Sequence, residues 1–303
     1  MRKKAATGSI RREEKKPALQ GRGLSSRDCR FMPTGEGACA MTDSDQSPGD
    51  PAGDRSWFAE NRPEQSGLLI CVPGPWKDRE EFLIQVIELE PAGRYVSMGG
   101  LLVDLEEKDH VILDFSPADP GMLRAFTIAG QGRIPQETLD RIQEHSSFVF
   151  MHFPLDIRAQ RDRVVKFTKL LPRLGGMAVK IDSAGIAHTW ERWFKLLNGS
   201  LFDLYCSTVV LIGGHEHYFS CGMHHFGLPE SALPTSIPVE AAADLMNRFN
   251  FWRIADAPHL NSGETFSLSQ DDPHYRLTLK ADSEHEAGEP FFNAHGVWFL
   301  SAV

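Results

Sequence analysis

The chain has 303 residues, 41% of them hydrophobic, and a formal net charge of −9. That is enough apolar material for a sizeable core. No apolar run approaches the ~20 residues that cross a bilayer, and the basic N-terminus lacks the roughly 7–15-residue apolar stretch of a secretory signal. Charge is unevenly placed: residues 1–40 carry a net +6, which leaves −15 on the remainder. An acidic body of this kind repels nucleic acid and anionic membranes, so neither is expected as a partner. Five scattered cysteines, an odd number, do not suggest a disulfide framework and fit a reducing cytoplasm.

In chain order, residues 1–60 form a basic, polar stretch expected to be a disordered and removable tail, with Met41 as an alternative start. Residues 61–157 are expected to form a first α+β half and residues 158–303 a second. The continuous apolar run from Gly67 to Val72 predicts a buried strand stopped by Pro73-Gly74-Pro75. A helix follows, with Phe82, Val86 and Leu89 on one face and acidic residues in its first turns. "RYVSMGGLLVDLEEKDHVILDFS" predicts two strands about a charged turn. "DPGMLRAFTIAG" and "PQETLDRIQEHS" are helical, each with a proline near its start. "SFVFMHF" closes the first half as a strand.

A connecting helix from Arg158 to Leu174 leads into the same order again. "GGMAVKIDS" is a strand, "AHTWERWFKLLNG" a helix ended by Gly199, "LYCSTVVLI" and "HYFSCGM" a strand pair, and "PVEAAADLMNRFNFWRI" a helix. "ETFSLS", "YRLTLKA" and "GVWFLSA" supply further strands. The expected fold is therefore α+β: two ferredoxin-like (split βαβ) halves packed together behind the tail. Trp76, Trp190, Trp193, Trp252 and Trp298 fall at element ends, where they seal a core more often than they stack on a ligand.

Several segments resemble a bacterial family known as domain of unknown function 4261. They are "VPGPWKDREEF", "GGMAVKIDSAGIAHTWERW", "YFSCGMHHFGLPE", "HLNSGETFSL" and "FFNAHGVWFL", over roughly Gly67 to Leu300. "SCGM" followed by "FGLPE" is the most specific piece. Glu230 stands where that family is expected to carry an aspartate. The resemblance implies an α+β protein and transfers no catalytic residue.

"GGHEHYFSCGMHHFG", Gly213 to Gly227, holds four of the twelve histidines and one cysteine. Strand alternation puts His217, Phe219, Cys221 and Met223 on one, largely apolar face, so Cys221 is expected to be a packed thiol. His215 lies at a turn, and His224 and His225 open a loop. Zinc held by Cys221, His224 and His217 is the alternative, although no CxxC or HExxH pattern supports it. A nucleophilic Cys221 would need a neighbouring cation or helix N-terminus. GxGxxG, GxxxxGK[ST] and GxSxG are absent. "NSGETF" and "FFNAHGVW" bring Asn261, Glu264, Asn293 and His295 beside aromatics, which turns explain equally well. If a small ligand is bound, His188, His224, His225, Glu230 and His295 are the residues expected around it.

Three functions stay open. The first is a non-enzymatic cytoplasmic module that binds a protein or a small molecule without a cofactor. The second is a metal-dependent hydrolase on the histidine-rich hairpin. The third is a small-ligand sensor between the halves.

Overall fold

The computed structural model describes residues 31–32, 67–89 and 93–303. The strands in chain order are β1 (Phe31–Met32), β2 (Leu68–Gly74), β3 (Tyr95–Met98), β4 (Leu101–Asp104), β5 (Asp109–Pro117), β6 (Ser147–Phe153), β7 (Val179–Ile181), β8 (Ile186–His188), β9 (Val210–Gly213), β10 (His217–Cys221), β11 (Glu230–Pro234), β12 (Thr265–Phe266), β13 (Tyr275–Lys280) and β14 (Val297–Ala302). The helices are α1 (Arg79–Leu89), α2 (Met122–Gly130), α3 (Gln136–Gln143), α4 (Ile157–Thr168), α5 (Leu170–Arg173), α6 (Trp190–Leu197), α7 (Leu201–Thr208) and α8 (Val239–Asp256), with one 3₁₀ turn at Met223–Phe226. The chain is thus mixed α and β, built on two seven-stranded sheets.

The first sheet runs β3-β4-β5-β6-β2-β7-β8 with every neighbour antiparallel. Alternation along β2 and β6 gives it two buried faces. Leu68, Ile70, Val72, Val149, Met151 and Phe153 meet α1, α4, α6 and α7 in the main core. Cys71, Phe148 and Phe150 turn the other way, against α2 and α3. The main core continues into the second sheet through Val210, Cys221, Met223 and Phe226. That sheet runs β1-β9-β10-β11-β14-β13-β12, parallel at β1–β9 and β11–β14. Its inner face carries Leu211, Leu233, Leu277, Trp298 and Leu300 against α8. Each large side chain buried in this way contributes about 1.5–3 kcal/mol.

The ferredoxin-like order is not what these sheets show. A split βαβ would pair β2 with both β5 and β6, whereas β6 lies between β5 and β2. α1 packs on one face of this sheet and α2 and α3 on the other, and β6 runs antiparallel to both β2 and β5. β7 and β8, from residues 158–303, complete the first sheet: β7 pairs with β2 and β8 with β7.

"LFDLYCST" is helical, not the first part of a strand, because Ser200 and Asp203 form a reciprocal capping box. Cys206 is therefore a helix residue packed in the core. "ESALP", expected in a loop, is β11. The basic stretch at residues 1–60 lies outside the described residues, as does Met41, with one exception. Phe31 and Met32, expected in the disordered tail, form β1 and pair with Leu211 and Ile212. No helix among the described residues is long and apolar enough to cross a membrane. The tryptophans do seal the core: the indole N–H of Trp76 donates to Leu174 O, and that of Trp193 to Thr168 Oγ1.

Candidate functional site

The end of β10, the 3₁₀ turn and the start of β11 bend around one carboxylate. Gly222, at φ +114°, lets the chain leave β10 at a sharp angle and rest against the Thr208 carbonyl, where no side chain would fit. This turn brings five donors to Glu230. Ser220 Oγ donates to Oε2 at 2.7 Å. Gly222 N, His224 N and His224 Nδ1 donate to Oε1 at 3.1, 3.2 and 3.1 Å, and Asn293 Nδ2 does so at 3.2 Å. Burial alone would raise the Glu230 carboxyl. The hydrogen bond and charge of His224, then Ser220 and the turn's backbone N–H groups, outweigh it and hold the group below its usual value.

A second tier supports the first. Arg253 of α8 donates to Pro229 O at 2.9 Å, to Ser231 Oγ at 2.9 Å and to Asn250 Oδ1 at 2.6 Å. Burial lowers its guanidinium to about 10, against the opposing pull of Glu230, so it remains charged at neutral pH. Tyr205 OH donates to Asn247 Oδ1 at 2.8 Å. Asn247, Asn250 and Arg253 recur every third residue, a polar stripe on the buried face of α8.

His225 points to the other sheet. Its Nε2 lies 2.8 Å from Ser183 Oγ in the β7–β8 turn, and Leu69 N donates to the same oxygen at 3.1 Å. Burial, then the neighbouring His224, hold the ring far below its ordinary value. A neutral ring beside a hydroxyl that already accepts from Leu69 favours the serine proton on Nε2. Nδ1 makes no hydrogen bond of ordinary geometry, although the Thr208 carbonyl favours its proton. His188 caps the same helix end, with Nε2 2.9 Å from Ser207 O and its ring stacked on Trp193. Two histidines thus meet the last carbonyls of α7, which have no partner within their own helix.

Of the expected ligand residues, His224, His225 and Glu230 converge. His188 lies nearby, at the end of β8 against α7, and His295 is exposed on the loop beyond Asn293. None of the four buried ones opens to solvent: His225 is 0% exposed, His188 1%, His224 2% and Glu230 6%. The loop expected at His224 and His225 is a buried 3₁₀ turn, so the expectation of exposed histidines is corrected. His225→Ala should cost about 2–4 kcal/mol in urea unfolding, because it leaves a cavity and strips Ser183 of its partner. A cost under ~0.5 kcal/mol, as for a surface histidine, would contradict this geometry.

Cys221 is a buried thiol packed in the main core. The expected zinc set divides: His217 is four strand residues from Cys221, about 13 Å along the strand, and His224 Nδ1 is committed to Glu230. Among the described residues, no three His, Cys, Asp or Glu side chains are grouped as a metal ion needs. Sequence reasoning missed Ser183, Arg253 and Asn250. Only the polar stripe on α8 signalled any of them.

Acid should weaken the fold, and the sign follows from two depressed groups. His188, lowered by burial to about 3, takes its proton only on unfolding, so stability falls between 6.5 and about 3. Glu230, held below 4.5, stabilises above that value and loses its contribution as pH drops through its lower folded value. The unfolding free energy from urea titrations should fall below pH 6.5 by roughly 1.4 kcal/mol per pH unit for each of His188 and His225. A flat profile to pH ~4.5 would show that the histidines charge freely in the folded protein.

The second sheet also has an outer face. His217, Phe219 and Phe299 lie there half-buried, with His217 5.9 Å from Phe219 and 5.3 Å from Phe299, centroid to centroid. Phe219 and Phe299 flank Ala232 in register. Arg276, Thr278 and Lys280 stand exposed on β13 beside them, with Lys280 Nζ 4.3 Å from the Phe299 ring centre. Comparisons of the chain with family models, with curated proteins and with solved structures find no match.

Proposed function

We propose that the chain is a non-enzymatic binding module whose ligand meets the outer face of the second sheet. The observation that carries this reading is the contrast between its two polar regions. The acid–base groups of the histidine-rich turn, His224 and Glu230 with Ser220, are buried and bonded to one another. The outer face instead offers three half-buried aromatic rings edged by two exposed cations. Among the described residues Cys71, Cys206 and Cys221 are buried thiols, which supports a cytoplasmic setting. A bacterial setting is proposed from the sequence resemblance alone, which supplies no activity.

The rival hydrolase reading has one observation in its favour, the 2.8 Å contact between Ser183 and His225. Both residues are fully buried, which leaves the pair no access to substrate in this structure. Thermal-shift screening against small metabolites tests the proposal, run on the native chain, on Phe299→Leu and on Ser183→Ala. A stabilising ligand whose effect disappears in Phe299→Leu and persists in Ser183→Ala is expected. The reverse pattern would sink the binding-face reading.

A further inference from the structure

The composition of the outer face is specific enough to name a ligand class, and this step rests on the binding-face reading. Three ring systems lie in contact: His217 touches both Phe219 and Phe299, the latter edge-on at 87°. Such a platform matches a planar heteroaromatic ring, which gains offset or edge contacts with each ring it covers. Directly beside Phe299 runs β13, where Thr278 is its register partner and Arg276 and Lys280 flank Thr278 on the same face. Alternate residues of a strand stand about 6.8 Å apart, so the two cations bracket one hydroxyl at the platform's edge. Lys280 is exposed, with its ammonium resting over Phe299, the position from which it reaches an anion attached to a ring stacked there.

Charge complementarity sets the ligand's sign. Glu230 is the single carboxylate among strand residues Val210–Gly213, His217–Cys221, Glu230–Pro234, Tyr275–Lys280 and Val297–Ala302, and it is buried. The strand residues of the face thus offer Arg276 and Lys280 and no exposed carboxylate, with Glu216 and Glu264 in the turns at its borders, on a body that carries −15 over residues 41–303. A long polyanion laid across it would meet that acidic surround; a ligand with one phosphate would not. We propose that the platform binds a nucleotide-type small molecule, its base on His217, Phe219 and Phe299 and its phosphate between Lys280 and Arg276.

Calorimetric titration of the full chain tests this, with AMP, adenosine, inorganic phosphate and a short oligothymidylate as probes. AMP should bind, adenosine more weakly, and phosphate not measurably. Lys280→Gln, an exposed change, should weaken AMP about tenfold and leave adenosine unchanged. Phe299→Leu should weaken both by about tenfold or more; if it fails to fold, Phe219→Leu replaces it. No AMP binding up to about 1 mM, or binding that both variants leave intact, overturns the proposal. Oligothymidylate binding more tightly than AMP, with steep salt dependence, overturns it in favour of a strand-binding surface. Another small molecule whose binding is lost in Phe299→Leu would overturn the nucleotide class while the binding-face reading stands.

Discussion

Glu230→Gln should destabilise the protein by about 3–5 kcal/mol in urea unfolding at neutral pH. The change is nearly isosteric, so the loss reports charge and hydrogen-bond direction rather than volume. Five donors converge on this carboxylate: Ser220 Oγ, Gly222 N, His224 N, His224 Nδ1 and Asn293 Nδ2. A glutamine amide turns an NH2 towards some of them and leaves Arg253, buried nearby, without a compensating anion. Glu230→Asp keeps the charge but shortens the reach by one methylene, so it should cost less, about 1–3 kcal/mol. Equal costs would mean that position, not charge, governs the site.

Gly222→Ala should cost at least about 3 kcal/mol. A Cβ at this residue would sit 2.0 Å from the Thr208 carbonyl oxygen and 3.1 Å from Val209 Cα, both backbone atoms of the segment joining α7 to β9. The φ of +114° adds backbone strain for any L side chain. Gly227, at the far end of the same turn, is the internal control. It has φ +68° and nothing within 4 Å of where a Cβ would stand, so Gly227→Ala should cost only about 1–2 kcal/mol. Similar losses at both glycines would show that strain alone, without the clash against Thr208, sets the penalty.

What was legible in the chain were the features encoded by short-range pattern. Phe82 and Val86, spaced four apart, are buried on α1 as their periodicity implies. Cys221 packs in the core. The α+β composition emerges as two sheets with helices on their faces. What was not legible depends on long-range choices. The alternation of β10 implied one apolar face. The structure divides that face along its length, with Cys221 in the core and His217 and Phe219 half-exposed. Tyr218 and Ser220, on the other side, turn to α8. "LYCSTVVLI" carries the β-branched content of a strand, yet the Ser200–Asp203 capping box upstream decides for helix until Thr208.

The polar node was half legible. Histidine density marked its turn, and the stripe of Asn247, Asn250 and Arg253 marked its helix, but nothing local links Ser183 to His225, 42 residues away. The strand order was not legible at all, because local patterns do not say on which face α2 and α3 will pack.

Carbethoxylation of histidines on the native protein, mapped by mass spectrometry, addresses most directly the claim that the histidine-rich turn is sealed structure and the ligand face lies elsewhere. His215 and His295, both exposed, should react readily, and half-buried His217 more slowly. His188, His224 and His225 should stay unmodified until the protein is unfolded, because reagent cannot reach rings buried to this degree. Modification of His224 or His225 in the folded protein at a rate comparable with His215 would contradict the account, since the node would then open to solvent and Ser183–His225 would stand available for chemistry.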